Sequence, residues 1–395
     1  MRSSSRPMLL LLAAAYFVMG TGSLAMVGTL PDVAATLGLS RGAVAWIYAA
    51  YSIAFAVGAP LLQTAIGDRP RRFVLIGGLV GLAVGSLATA VAVDAPTLVA
   101  ARLVTAIGSA AIGPVASALG SSLVPRAEQG RALAVIFSGI AIASVVGVPL
   151  TTVIAGAVGW RLAFVVIAVA SLTVAGLVGF GLDDRSRGER MHPLAALRLA
   201  AHPAIAAGLG VMLGEMAALF ASYTMIVPLL TDRFGLTPAA VTAALMLFGV
   251  AGVGGNVLAR HLAGRWSAER SIAVGLGLFV VASLLLLLGP AVFATAVTVL
   301  FAWAIGNDVF MPAQQRRMVE LAPEARGMAL ALNASAIYLG SSLGSAIAGV
   351  LDRHFGLLAL PVGTIGLAAV AFAALAASMR AARRGNENGA AEATP

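Results

Sequence analysis

Gly58-Ala59-Pro60-Leu61-Leu62-Gln63-Thr64-Ala65-Ile66-Gly67-Asp68-Arg69-Pro70-Arg71-Arg72-Phe73-Val74-Leu75-Ile76-Gly77-Gly78 is the stretch that decides the fold. An apolar run ends at Ile66, charges crowd into Asp68–Arg72, and a second apolar run begins at Phe73. The runs extend outward to cover about residues 43–66 and 73–93. Each is long enough to cross a bilayer, which takes about 20 mostly apolar residues. Neither alternates polar with apolar as a membrane β-strand does, so both are expected to be helices. The basic turn between them belongs on the cytoplasmic side.

The rest of the chain repeats this pattern. Apolar segments lie at about 8–30, 43–66, 73–93, 97–123, 131–157, 161–182, 203–230, 238–260, 269–289, 291–314, 327–350 and 357–379. Composition agrees: 60% of the 395 residues are hydrophobic, 10% are charged, and the mean hydropathy is +0.98. Soluble domains carry about 25% charged residues. So few charges cannot cover a water-facing surface, which excludes a soluble enzyme and a disordered chain. The N-terminal run reaches Leu30 and is too long for a signal-peptide core, so it reads as an uncleaved first span.

Net charge is +9, carried entirely by Arg. On a soluble protein that would suggest nucleic acid; here no nucleic-acid partner is expected, because the Arg residues follow topology. With the N-terminus inside, twenty of the 25 fall in cytoplasmic segments and four (Arg41, Arg161, Arg233, Arg353) in outer loops. One, Arg102, falls inside a span. Both termini are therefore expected in the cytoplasm of a bacterial cell, with the chain a multi-pass protein of the inner membrane. The chain has no Cys, and its four His lack metal-ligand spacing, so no metal or cofactor is expected. No Walker-type glycine loop is present, which leaves an ion gradient as the energy source.

A repeat divides the chain. Leu37-Gly38-Leu39-Ser40 returns as Phe234-Gly235-Leu236-Thr237, and Gly130-Arg131-Ala132-Leu133-Ala134 as Gly327-Met328-Ala329-Leu330-Ala331. Gly58, Gly78, Gly147 and Gly159 match Gly255, Gly275, Gly344 and Gly356, all at one offset of 197 residues. The fold expected is an all-α polytopic membrane protein, twelve helices in two pseudo-symmetric six-helix bundles. The bundles are 1–182 and 203–380, with a cytoplasmic linker 183–202 and a disordered tail 381–395. Parallel repeats around a midplane site are a transporter architecture.

Four stretches give the chain a resemblance. They are Met19-Gly20-Thr21 through Gly28-Thr29-Leu30-Pro31-Asp32; Gly58-Ala59-Pro60-Leu61-Leu62 with Asp68-Arg69-Pro70-Arg71-Arg72; Arg102 with Phe137-Ser138-Gly139, Gly147-Val148-Pro149 and Gly159-Trp160-Arg161; and Pro312-Ala313-Gln314-Gln315 with Ala331-Leu332-Asn333 and Tyr338-Leu339-Gly340. In this order the chain resembles the major facilitator superfamily over about residues 15–380. It is most similar to the twelve-helix drug:proton antiporters of the arabinose-efflux-like and chloramphenicol-resistance-like branch. The resemblance implies that Asp68, Arg69, Arg71 and Arg72 latch an inner gate, and that helices one, four, seven and ten line a cavity. It also marks Gly139, Gly147 and Pro149 as an antiporter signature. From the residues alone, Gly139, Ala143 and Gly147 place small side chains on one helix face, and Pro149 removes a donor that kinks the helix.

Charge at bilayer depth costs at least about 2.5–3.5 kcal/mol, so each such residue is a candidate for function. Three occur: Arg102 in span four, Glu215 in span seven and Asp308 in span ten. All three lie on helices that the resemblance assigns to the cavity. At about 1.5 Å per residue, Glu215 lies about 18 Å from the inner end of its span, near the midplane. Glu215 and Asp308 are the expected proton carriers, with Arg102 as a third coupling residue. A buried carboxyl is most easily kept neutral and a nearby cation restores its charge, so proton and substrate can compete for one site. Many relatives carry an acid in helix one where this chain has Ser23. Further polar candidates for substrate contact are Tyr16, Ser23, Tyr51, Tyr223, Asn256, Asn307, Asn333 and Tyr338.

The function expected is proton-coupled efflux of a small amphipathic drug or secondary metabolite. Export of a sugar or other polar metabolite is the alternative, and it would call for more hydrogen-bonding side chains in the spans. A membrane enzyme is disfavoured, because the spans hold no nucleophile–base pair. The partners expected are the substrate, protons and the lipid bilayer, with the chain acting as a monomer.

Overall fold

The computed structural model describes residues 5–125, 128–181 and 193–392. Every regular element among them is helical. Twelve helices are long and apolar enough to span a membrane. We number them α1 (Ser5–Leu37), α2 (Arg41–Ile66), α3 (Arg71–Ala90), α4 (Ala95–Ser122), α5 (from Gln129 to Val158), α6 (Trp160–Gly181), α7 (Pro203–Tyr223), α8 (Pro238–Ala263), α9 (Ala268–Leu288), α10 (Phe293–Leu321), α11 (Arg326–Phe355) and α12 (Leu360–Glu392). Large apolar side chains such as Val84, Val169, Leu177, Val281 and Val370 stand exposed along these helices, as a lipid-facing surface requires.

Local chemistry sets the ends. Ser40 caps α2 by accepting from the Ala43 amide at 3.1 Å, and Ser267 caps α9 by accepting from Arg270. Asp94 and Thr97 form a reciprocal capping box at the start of α4. Positive φ occurs at four glycines among the described residues: Gly38 (63°), Gly159 (103°), Gly235 (62°) and Gly356 (78°). They form two pairs 197 residues apart, so the repeat seen in sequence is also a repeat of backbone conformation that favours glycine.

Three elements depart from the sequence expectation. Span seven was expected to run to residue 230. Instead α7 stops at Tyr223, followed by a turn, a short Ile226–Pro228 helix and a π-helical Leu229–Arg233 segment. Pro228 removes a donor and crowds the carbonyl four residues back, which accounts for a break near Thr224. In α5 the expected kink takes the form of a π-helical turn, Ala143–Gly147, two residues before Pro149. The tail expected to be disordered from residue 381 continues α12 to Glu392, led by the helix formers Ala381, Ala382, Arg383 and Arg384. Of the expected linker 183–202, residues 183–192 lie outside the described residues, and Pro193–Ala201 is a short helix.

Contacts divide the chain into two units. The first holds Met1–Met191 with Thr224–Val250, and the second His192–Tyr223 with Ala251–Pro395. Residues 224–250 join the first unit through packing. Arg41 pairs with Asp232 at 2.7 Å, and Gly249 lies against the backbone of Val145, closer than any side chain would permit. In the first unit α3 packs on α4 and α6, and α1 on α5. In the second, α7 packs on α11 and α12, and α9 on α10.

Candidate functional site

In the first unit, α4 carries Arg102 into a fully buried position, 0% exposed. Its guanidinium donates to the carbonyl oxygens of Gly22 at 3.0 Å and Ser23 at 3.3 Å, both on α1. The same group lies 4.3 Å from the Tyr51 ring centroid and 5.8 Å from that of Phe164. Two carbonyls and two ring faces thus stabilise the cation without a carboxylate. Ser23 takes part through its backbone oxygen, not its hydroxyl. Tyr51 is buried beneath the guanidinium, and Tyr16 is engaged as well. The Tyr16 hydroxyl donates to Gly113 O at 2.8 Å and lies 2.7 Å from Ser117 Oγ, tying α1 to α4.

Gly139 and Gly147 are buried against α1. A side chain at Gly139 would run into the Ala13 carbonyl, and one at Gly147 into Thr21, while Ala143 meets Gly20 between them. This face of α5 is therefore a close helix contact, and Pro149 is buried just beyond it. At the α2–α3 turn, Asp68, Arg71 and Arg72 are half-buried and Arg69 is exposed. Arg72 donates to the Gly179 carbonyl, fastening the start of α3 to the end of α6.

In the second unit, α7 places Glu215 at 0% exposure. Neither carboxylate oxygen has a hydrogen-bond partner among the described residues. Asp308, on α10, is close enough for the two carboxyls to interact electrostatically. Asp308 sits in a notch on α8: a side chain at Gly252 would meet its Oδ2 at 2.8 Å, and one at Gly255 would meet its Cβ at 2.9 Å. Asn256, one position on, donates to Asp308 Oδ1 at 3.4 Å. Asn307 is half-buried beside it.

The remaining candidates separate. Asn333 is buried and accepts from Gln314 Nε2 at 3.4 Å, while the same nitrogen donates to Gly208 O at 2.7 Å. Tyr223 is buried with its ring edge-on to Phe220, and Tyr338 is half-buried on α11. The second unit thus brings Glu215, Asp308, Asn256 and Asn307 into one neighbourhood, leaves Asn333 in a contact between α10 and α11, and leaves Tyr223 packed on Phe220 of its own helix. Sequence reasoning did not single out Gly252 and Gly255 as a notch; the signal was a glycine pair three apart, one residue before a polar Asn. It also missed that Arg317 is buried, paired with Glu269 and donating to Ser378 Oγ at 3.1 Å.

Comparison with known proteins gives this arrangement its setting. A Major Facilitator Superfamily profile matches residues 12–307 and 207–394. The chain is 32% identical to the inner membrane transport protein YdhP of Escherichia coli (strain K12), covering 90% of this chain and 91% of that one. It is also 32% identical to a chloramphenicol resistance protein of Streptomyces lividans, over 88% of this chain and 89% of the relative. A probable sugar efflux transporter of Haemophilus influenzae (strain PittGG) is 25% identical over 88% of each. Among solved structures, a bacterial homologue of the human lysosomal transporter Spinster, inward-facing and occupied, superposes with a TM-score of 0.74 at 15% identity, covering 97% of this chain and 98% of that one. A peptide transporter, POT, also gives 0.74 at 15% identity, over 95% and 94%. The chain is a polytopic membrane protein of twelve helices and belongs to the major facilitator superfamily.

Proposed function

We propose that the chain is a secondary active efflux transporter of the bacterial inner membrane. It exchanges protons for a small amphipathic compound by alternating access. The observation that carries this is Glu215: a carboxyl in a membrane-spanning helix, fully buried and without a hydrogen-bond partner among the described residues, with a second carboxyl within electrostatic range. A purely structural acid at that depth would be paired, because an unpaired buried charge is costly. Glu215 holds the proton, and Asp308, steadied by Asn256 in its glycine notch, is the second carboxylate. A substrate bearing positive charge displaces the proton, and a proton displaces the substrate. The two species then occupy the site in alternation, which is antiport.

Arg102 has a different part. A guanidinium is not deprotonated in proteins and cannot carry the proton. It is a positioning residue that holds α1 on α4 through Gly22 and Ser23. The names of the chloramphenicol-resistance and sugar-efflux relatives both support export. The amphipathic reading is favoured over a sugar because Tyr16 and Asn333 direct hydrogen bonds to the protein. A drug-susceptibility panel in a pump-deficient host tests the proposal. Wild type should raise tolerance to at least one amphipathic compound, and Glu215→Gln should return it to the host level. Equal tolerance for the variant and wild type would remove Glu215 from the mechanism.

A further inference from the structure

The first unit carries a groove of about 560 Å3 on α2, α3 and α4 that the efflux reading does not use. Its walls include Phe73, Val104 and Ile107, which are 65%, 41% and 50% exposed. Its floor contains Gly77, Gly81 and Gly108. Arg69 stands at the mouth, at the cytoplasmic end of α2 and α3. Arg69 is exposed and forms no ion pair among the described residues. The groove therefore begins at headgroup depth with a cation and continues into the membrane as an apolar slot.

The second repeat shows that the fold does not require this opening. At the 197-residue offset, Gly77 and Gly81 become Val274 and Leu278, while Gly108 has its structural counterpart in Gly306, which packs on Gly275 as Gly108 packs on Gly78. The corner residues change too: Arg69 becomes Trp266 and Phe73 becomes Arg270. There the guanidinium of Arg270 is covered, 4.5 Å from the Trp266 ring centroid. Gly77 has no packing reason for being glycine, since a side chain there would meet nothing within 4 Å. The second repeat fills the slot and covers its charge, whereas the first leaves both open.

We propose that this groove binds an anionic phospholipid of the cytoplasmic leaflet. One acyl chain lies over Gly77 and Gly81 between Phe73 and Ile107, and the phosphate meets Arg69. Charge selects the headgroup. Asp68 is the one acid among Arg69, Arg71 and Arg72, so the turn is cationic and favours phosphatidylglycerol over zwitterionic phosphatidylethanolamine. An acyl chain suits the slot because its lining is almost wholly apolar and faces the bilayer. The inference stands apart from the proton site and does not depend on it.

Native mass spectrometry of the full chain in detergent, titrated with phosphatidylglycerol or phosphatidylethanolamine, tests it. Wild type should retain phosphatidylglycerol preferentially. Arg69→Gln should weaken that retention about five-fold, the effect of one cation at the membrane surface, and weaken phosphatidylethanolamine less, because its ammonium offsets its phosphate. Gly77→Leu, which fills the slot, should lower retention of both lipids. Arg69 is exposed and Gly77 faces open space, so neither variant threatens folding, and thermal melting checks this. Equal retention of the two lipids by wild type would overturn the proposal, as would phosphatidylglycerol binding untouched by both substitutions. Displacement of the lipid from wild type by an amphipathic cation at matched concentration would assign the groove to that class of ligand and also overturn it.

Discussion

The two repeats share a backbone plan and treat buried charge in opposite ways. The first buries a cation, Arg102, and supplies it with two carbonyls and two aromatic faces. The second buries an acid, Glu215, and leaves both of its oxygens without a hydrogen bond among the described residues. Neither choice is copied across the repeat: with Gly108 matched to Gly306, the counterparts of Arg102 and Asp308 are Leu300 and Ala110, and that of Glu215 is Val18. Arg102 is held on α1 through its two terminal nitrogens, whereas Glu215 makes no hydrogen bond through either carboxyl oxygen among the described residues. The turns between α2 and α3 and between α8 and α9 differ as well. Arg72 fastens α3 to the Gly179 carbonyl, while its counterpart Glu269 accepts from Arg317, which continues to Ser378 and from there to Ala204 O at 2.9 Å.

The largest expected effect follows from this contrast. Arg102→Met should cost about 3 kcal/mol of stability, because hydrogen bonds from a charged donor are lost. Glu215→Gln should melt close to the wild-type temperature, since no hydrogen-bond partner is lost and Gln is nearly isosteric with the neutral acid. Thermal unfolding in detergent measures both, and a lower melting temperature for Glu215→Gln than for Arg102→Met would break the comparison. Next come the helix contacts shared by both repeats. Gly147→Leu and its counterpart Gly344→Leu would drive side chains into Thr21 and into the Ala217 backbone, costing about 1–3 kcal/mol each. Gly156→Ala, with nothing within 4 Å in a helical segment, should not destabilise and should gain up to about 1 kcal/mol in the same assay.

The smallest effect lies at a helix end. Hydrogen bonds from Thr97 hold the Asp94 carboxyl below its ordinary range. A group lowered on folding contributes stability above its unfolded value and loses it as pH falls through the folded one. Amide protection at the start of α4, measured against the intrinsic exchange rate, should therefore fall only in that acidic range. Asp94→Asn, which keeps an N-cap acceptor, should remove the pH dependence and keep the helix end.

Much of the fold was legible in the sequence because a bilayer imposes a coarse rule. Helix-length apolar runs, Arg on one side and glycines at one offset were enough for twelve spans and two repeats. Boundaries were less legible where proline acts through tertiary context, as at Pro228 and the π-helical turn before Pro149. The candidate acids were legible because charge at depth is rare. Their environments were not. That Tyr16 is spent on Gly113, that Arg102 rests on α1 carbonyls, and that Gly252 and Gly255 make room for Asp308 are facts of packing. They depend on residues about 50–100 positions away in the chain. Composition also could not tell Gly77, which leaves a slot, from Gly147, which closes a contact.

The most direct test of the claim that the second repeat carries proton coupling is transport in proteoliposomes with and without an imposed pH gradient. It compares wild type with the Glu215→Gln/Asp308→Asn double variant, using a compound from the susceptibility panel. The account predicts that the double variant still exchanges substrate across the membrane but is no longer accelerated by the gradient. Full gradient-driven acceleration in the double variant would contradict it.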